Sequence, residues 1–148
     1  LGRRVTVIGA AIESDAHTVG IDAIFNAKGF AGNYGLERFP AFRTLNLGAQ
    51  VSCEALLRRA AAEQAEAILV SQVVTQKNVH IQNLTKLIEL AEAEDVRDRY
   101  LFIVGGPRIS HAFAKELGYD AGFGPGSTAT TVASYLAQEL VARKGRVS

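Results

Sequence analysis

Short apolar runs rich in β-branched residues alternate with longer amphipathic stretches along this chain, and this alternation limits the fold more than any other feature. Five runs have the composition of strands, and the segments between most of them are long enough for a helix: RRVTVIGA, FRTLNLG, EAILVSQVV, YLFIVGG and YDAGFG. Strands that alternate with helices form a parallel sheet with helices packed on its faces. The sequence therefore predicts the α/β class.

Two segments show the residue spacing of one helical face. Their apolar residues recur at intervals of three and four: Leu84, Leu87, Ile88 and Ala91 in the first, and Ala129, Val132, Ala133, Leu136 and Leu140 in the second. We expect these faces to cover a doubly wound, five-stranded parallel sheet of the flavodoxin-like (Rossmann-like) kind. Such folds bind ligands outside the carboxyl ends of the strands, where the strand order reverses. The loops that follow strands are therefore the places to look for a site.

Length and charge narrow the possible roles. The 148 residues suit a single domain, residues 1–148, and a start at LGRR without methionine predicts a piece excised from a longer subunit. The net charge is +1 and the basic residues are scattered, which disfavours nucleic acid and anionic membranes as partners. The run VTVIGAAI is too short to span a bilayer, so we expect a cytoplasmic protein. The single cysteine, Cys53, is expected to be a buried apolar residue.

The loop after the first strand carries the pattern Asp15-Ala16-His17. A carboxylate two residues from an imidazole can accept a hydrogen bond from one ring nitrogen and leave the other available to a metal. Gly20 adds room for a bulky ligand beside the backbone. Taken alone, the pattern is more often a surface ion pair. The sequence has no G-x-G-x-x-G after the first strand and no P-loop lysine pattern, which disfavours a standard dinucleotide or ATP site.

Three motifs together resemble the D-x-H-x-x-G, S-x-L and G-G signature of the base-off, His-on cobalamin-binding domains. They are DAHTVG, SQV and GG, and they follow the first, third and fourth predicted strands. The resemblance implies that His17 is the metal ligand below cobalt, that Asp15 orients it, and that the same loop binds the cofactor through Thr18 and Gly20. Valine at position 73 departs from the leucine of the signature.

The same resemblance implies a slot beside the sheet for the displaced nucleotide tail of cobalamin. The slot would be lined by Ser71, Val73, Gly105 and Gly106. The turn GPGST would close over its far end with Gly124, Gly126 and Ser127.

The runs DAHTVGIDAIFNAKGFAGNYGLERFP and SQVVTQKNVHIQNL also resemble the cobalamin domains of the radical aminomutases that act on lysine (5,6-aminomutase, beta subunit) and on D-ornithine (4,5-aminomutase). This resemblance implies an isomerase of lysine degradation that uses adenosylcobalamin and pyridoxal 5'-phosphate to move the terminal amino group of lysine, β-lysine or D-ornithine to the neighbouring carbon. Lys28 would be catalytic and bind pyridoxal phosphate through a Schiff base, which latches the domain until substrate arrives.

The resemblance further implies a hetero-oligomer in which an α/β-barrel subunit or domain binds the substrate and the pyridoxal phosphate group. The isolated chain would then be inactive. Two alternatives stay open: a cobalamin module without lysine chemistry, such as a corrinoid methyl carrier or a sensor, and an interaction domain without a cofactor. Without the resemblance, Lys28 reads as a solvated lysine at a helix end, and His80 and His111 as surface or capping residues at helix starts. The choice between lysine and ornithine, the oligomeric state and the role of the inserted loop 32–39 are not determined by the sequence.

Overall fold

The computed structural model describes residues 5–13, 42–72, 79–106 and 109–123, together with positions 132, 135, 136, 138 and 139, which are helical. Within these residues the elements follow one another in the order predicted from the sequence. They are β1 (Val5–Ala11), β2 (Phe42–Asn46), α1 (Cys53–Ala62), β3 (Ala67–Ser71), α2 (Val79–Ala93), a 3-10 turn (Arg97–Arg99), β4 (Leu101–Gly105), α3 (His111–Glu116) and β5 (Ala121–Phe123).

The five strands form one parallel sheet in the order β2-β1-β3-β4-β5. This is the flavodoxin-like order, and it confirms the predicted fold class. The order reverses between β1 and β3, which lie side by side in the sheet. The last residues of four strands are level, because Ser71 pairs with Ala11 and Gly105, and Gly105 pairs with Phe123. The carboxyl edge of the sheet is therefore nearly straight from β1 to β5.

The core forms because alternate strand residues face opposite sides of the sheet. One side packs against α1, α2 and α3 through the strand residues Ile8, Ala10, Ile12, Ile68, Val70, Phe102 and Val104. The residues between them on the strands are also buried. The predicted helical face of α2 is confirmed, since all four of its apolar residues are buried. In the second predicted face, Val132 and Leu136 are helical and buried, while Ala129, Ala133 and Leu140 lie outside the described residues.

The amino edge of the sheet holds a compact polar group, the amino-edge cluster, made of Arg97, Phe102, Gly118 and Asp120. Arg97 donates from Nε to the Gly118 carbonyl at 3.1 Å and pairs with Asp120 Oδ2 at 3.3 Å. The same carboxylate oxygen accepts from the backbone N–H of Phe102 at 2.8 Å. The guanidinium also lies 4.9 Å from the centre of the Phe102 ring. These contacts join the start of β4 to the start of β5.

Within the described ranges, none of the helices combines the length and the apolar character needed to cross a bilayer.

Candidate cofactor site at the carboxyl edge

Three of the predicted site residues fall within the described part of the chain. Ser71 is the last residue of β3, Gly105 is the last residue of β4, and Gly106 follows it. Ser71 and Gly105 are direct partners across the two strands, so the structure brings these two predicted residues together. The others lie outside the described residues, and their roles stay predictions: Asp15, His17, Thr18, Gly20, Lys28, Val73, Gly124, Gly126 and Ser127.

Gln72, the middle residue of the SQV motif, ties this edge together. Its side chain is buried, and its Nε2 donates to the carbonyls of Ile12 at 3.0 Å and Ser71 at 3.1 Å. Its Oε1 accepts from Asn83 Nδ2 of α2 at 3.1 Å, and its backbone N–H donates to the Gly105 carbonyl at 3.1 Å. The side-chain and backbone amides of this one residue therefore connect the ends of β1, β3 and β4 with α2. Sequence reasoning missed Gln72, although a polar residue that ends an apolar strand marks such a position.

The two glycines after β4 have different surroundings. A Cβ atom at Gly106 would collide with the backbone carbonyl oxygen of Gln72 and lie 3.1 Å from Ile109 Cγ1. Among the described residues, a Cβ atom at Gly105 would meet only the Phe123 carbonyl oxygen, at 3.4 Å, an ordinary contact. Gly106 is therefore required by the close approach of two protein backbones. The prediction that both glycines leave room for a ligand stays a prediction, and among the described residues Gly105 is the one where an added Cβ would make only an ordinary contact.

A second polar group, the Glu13 junction, lies where β1 ends and consists of Glu13, Cys53, Glu54 and Lys86. Glu13 adopts a left-handed backbone conformation with φ of 57°, which is uncommon for a residue with a side chain. Its Oε1 accepts from Lys86 Nζ at 2.8 Å and from the backbone N–H of Cys53, the first residue of α1, at 3.3 Å. Lys86 also lies 3.5 Å from Glu54 Oε1. The junction fixes the chain two residues before Asp15.

The electrostatics of this junction keep its carboxylate charged and its thiol neutral. Burial by itself would raise the pKa of Glu13, but hydrogen bonds from Lys86 and Cys53 outweigh it and hold that pKa below its ordinary value. Burial, and then the neighbouring Glu13 carboxylate, raise the pKa of the Cys53 thiol to about 12. A protonated thiol is a poor nucleophile. Cys53 is fully buried, which confirms its predicted role as a core residue.

The prediction of a surface or capping role for His80 is wrong. His80 is the second residue of α2 and is only 8% exposed, because it lies four residues before Leu84 and so shares the buried face of the helix. Its ring lies 6.0 Å from the Phe113 ring of α3. In the part of the chain that is described, its Nδ1 is the one buried side-chain nitrogen or oxygen without a hydrogen-bond partner. His111 is exposed, as predicted, and its Nδ1 accepts from the backbone N–H of Gly122 at 3.3 Å.

The described edge suits a ligand that is held by shape and hydrogen bonds. It offers a small polar side chain at Ser71 and, at Gly105, a backbone position where an added Cβ would make only an ordinary contact with the described residues. Small residues at two neighbouring strand ends are compatible with a narrow ligand beside the sheet. The metal-binding loop predicted at Asp15 and His17 starts from the same edge, at the reversal of strand order.

Comparison with known proteins agrees with this geometry. The profile of the "B12 binding domain" family matches residues 5–133. The chain is 57% identical over 140 residues to the lysine 5,6-aminomutase beta subunit of Acetoanaerobium sticklandii, a match that covers 95% of this chain and 53% of that subunit. It is 31% identical over 134 residues to the D-ornithine 4,5-aminomutase subunit beta of the same organism, covering 90% of this chain and 17% of that subunit.

A solved structure shows the same fold. The crystal structure of a cobalamin-binding protein from Desulfitobacterium hafniense superposes with a TM-score of 0.71 at 17% sequence identity, and the match covers 91% of this chain and 58% of that one. The chain spans about half the length of the lysine 5,6-aminomutase beta subunit that it matches.

Proposed function

Because this chain belongs to the B12 binding domain family, we propose that it is the adenosylcobalamin-binding domain of a pyridoxal phosphate-dependent radical aminomutase. The observation that carries the proposal is the 57% identity to a lysine 5,6-aminomutase beta subunit across nearly the whole chain. The weaker identity to the ornithine enzyme favours lysine or β-lysine as the substrate. A corrinoid methyl carrier is the second candidate, and its support is the 26% identity to a trimethylamine corrinoid protein from Methanosarcina acetivorans.

His17 is the proposed protein ligand of cobalt, and Asp15 is the group that orients it. The support from the structure is the position of their loop, which begins next to the Glu13 junction at the reversal of strand order. A carboxylate that binds one imidazole nitrogen fixes the ring and raises the basicity of the other nitrogen. Thr18 and Gly20 are proposed to contact the corrin from the same loop.

The nucleotide tail is proposed to lie along the carboxyl ends of β3 and β4. Ser71 and Gly105, which are cross-strand partners, would flank it, and Gln72 would keep the two strand ends at a fixed separation through its buried hydrogen bonds. Val73, Gly124, Gly126 and Ser127 complete the proposed lining. Gly106 contributes by allowing the loop after β4 to approach Gln72.

Lys28 is the proposed point of attachment for pyridoxal phosphate. When bound, adenosylcobalamin supplies a carbon-centred radical that removes hydrogen, and pyridoxal phosphate supplies an aldehyde and a conjugated ring for the migrating amine. The role proposed for this chain is placement: His17 would hold one cofactor, and the Lys28 amine would hold the other until a substrate amine replaces the lysine. The substrate itself is proposed to bind an α/β-barrel partner subunit or domain in a hetero-oligomer. The cytoplasmic location stays a prediction.

The cobalt assignment is tested by electron paramagnetic resonance of the Co(II) form with histidine labelled with nitrogen-15. We expect hyperfine coupling from a protein histidine, its loss in His17→Ala, and affinity lowered by about 10 to 100-fold in Asp15→Asn. Coupling only to the benzimidazole of the cofactor would overturn the assignment.

The lysine assignment needs the complete complex. Borohydride reduction followed by peptide mapping should place the pyridoxyl group on Lys28, and Lys28→Ala should lose it while cobalt ligation by His17 is kept. A pyridoxyl group on a lysine of the partner, with Lys28 unmodified in an active complex, would leave the chain as a cobalamin module without lysine chemistry. Together the two measurements separate the aminomutase from the methyl carrier.

A further inference from the structure

The backbone at the end of β1 is held firmly as far as Glu13. The carbonyl of Ile12 accepts from Gln72 Nε2 at 3.0 Å, and the backbone N–H of Glu13 donates to the Val51 carbonyl at 2.8 Å. Glu13 itself has a φ of 57°. A glycine would adopt this left-handed conformation at no steric cost, whereas a residue with a side chain keeps it only where the surrounding structure holds it there. The side-chain contacts of this glutamate therefore need an explanation.

Those contacts join the strand end to two helices. Glu13 Oε1 accepts from Lys86 Nζ of α2 at 2.8 Å and from the backbone N–H of Cys53, the first residue of α1, at 3.3 Å. Hydrogen bonds that involve charged groups are stronger than those between neutral groups. Lys86 precedes Leu87, which is fully buried, so the cation extends from a helix that is packed into the core. The carboxylate thus anchors the strand end to the rigid part of the domain.

The predicted cobalt-ligand loop starts immediately after this anchor. Asp15 is two residues and His17 four residues beyond Glu13, and four residues span at most about 14 Å. Over so short a segment, the direction in which the chain leaves Glu13 limits where the imidazole can lie. A metal ligand needs its position fixed to within about 0.5 Å by the groups that support it. The anchor is therefore close enough along the chain to affect cobalt ligation.

We propose that Glu13 is a positioning residue for the cobalt ligand. Its carboxylate, held by Lys86 and the Cys53 N–H, sets the direction in which the loop with His17 leaves β1. The inference rests on the proposed function and adds to it a residue that lies outside the D-x-H-x-x-G motif. Glu13 acts here through the backbone of the loop and not through contact with the metal. Loss of its contacts should therefore weaken ligation by His17 and leave binding of the nucleotide tail unchanged.

The test is a double-mutant cycle on cobalamin affinity in the intact protein that carries this chain. Glu13→Gly removes both side-chain contacts and accepts the left-handed backbone. We expect it to weaken cobalamin binding about tenfold, the lower end of the range for groups that orient a metal ligand. In a His17→Ala background, where the tail alone holds the cofactor, the same change should have no effect. Glu13→Gln, which keeps an acceptor for the Cys53 N–H, should recover part of the loss.

Two further variants make the outcome decisive. Lys86→Met breaks the ion pair from the helix side, so it should give a smaller loss that also disappears with His17→Ala, and it carries the test should Glu13→Gly fail to fold. Glu63→Gly is the matched control, because that carboxylate pairs with Arg43 at 2.7 Å at the other end of α1, and it should leave the affinity unchanged.

Three results would overturn the proposal. An equal loss in both backgrounds would show that Glu13 supports the whole domain and not the ligand, and no loss in either would show that the loop does not depend on the anchor. A loss of equal size in Glu63→Gly would show that any broken ion pair is sufficient. Wild-type Co(II) without coupling to a protein histidine would instead reject the proposed cobalt ligation, and this inference with it.

Discussion

Two carboxylates at opposite edges of one sheet, Asp120 and Glu13, make similar contacts, but the cations that they pair with differ in exposure and in their other contacts. Each pairs with a cation and accepts a backbone N–H, and their side chains are 22% and 21% exposed. The cation beside Asp120 is Arg97, which is 20% exposed, donates to the Gly118 carbonyl and covers the Phe102 ring. The cation beside Glu13 is Lys86, which is 49% exposed.

The difference separates an edge whose contacts stabilise the fold from the edge at which we propose that the ligand binds. At the amino edge, the cluster of Arg97 and Asp120 uses its hydrogen-bonding groups within the protein. At the carboxyl edge, Glu13 has a left-handed backbone, and within the described ranges an added Cβ at Gly105 would make only an ordinary contact and the buried Nδ1 of His80 has no hydrogen-bond partner. Strained backbone conformations and unpaired buried polar groups concentrate at functional sites, and the rest of the fold supplies the stability that is lost there.

The largest expected effect comes from breaking the amino edge. Asp120→Ala would leave the Phe102 N–H and the Arg97 guanidinium without their charged acceptor, so we expect the free energy of unfolding to fall by about 2 to 3 kcal/mol in urea titrations. Cobalamin affinity of the folded protein should not change. Glu63→Ala, which breaks the exposed pair with Arg43, is the control and should cost much less. A loss of cobalamin affinity in Asp120→Ala would show that the two edges are coupled.

An intermediate effect is expected at the two glycines of the carboxyl edge. Gly106→Ala forces the Gln72 carbonyl to move, which should destabilise the protein by about 1 to 2 kcal/mol. Gly105→Ala should change stability by less than about 0.5 kcal/mol, because the added methyl group makes only an ordinary contact with the described residues. Its cobalamin affinity should nevertheless fall, since the methyl group occupies space proposed for the ligand. Unchanged affinity in Gly105→Ala would contradict the proposed path of the tail.

The smallest effect concerns the pH dependence of the Glu13 junction. The pKa of Glu13 is lowered in the folded state, so its ion pair stabilises the protein above the ordinary value of 4.5 and loses that contribution as pH falls through the lowered pKa. Glu13→Gln should therefore be less stable than the wild type at neutral pH and approach it in acid. Urea midpoints measured from pH 7 to pH 3 report this difference. A constant difference across that range would mean that the ion pair with Lys86 contributes nothing.

Most of the fold follows from the sequence because strands and helical faces are repeated patterns of apolar residues. The five strands, the buried face at Leu84, Leu87, Ile88 and Ala91, and the burial of Cys53 all depend on periodicity alone. Gln72 and His80 were missed because their roles arise from tertiary contacts. Only the paired sheet shows that the Gln72 amide reaches Ile12, and only helix packing brings His80 against Phe113. The metal-binding role of Asp15 and His17 is implied by the resemblance of three motifs to the cobalamin-binding signature, and it stays a prediction.

Because the strand ends are level, loops of very different length can leave the carboxyl edge of the sheet. The connection that leaves the carboxyl edge after Glu13 runs through residues 14–41, whereas the connection after Gly106 reaches α3 within a few residues. Joining fixed anchor points with a longer segment is inexpensive, since each doubling of length adds only about 0.6 kcal/mol of closure entropy. The segment 14–41, which includes Lys28, can therefore change in length or sequence without changes in the hydrophobic interior. The chemistry proposed for such a loop can therefore change while the sheet keeps its shape.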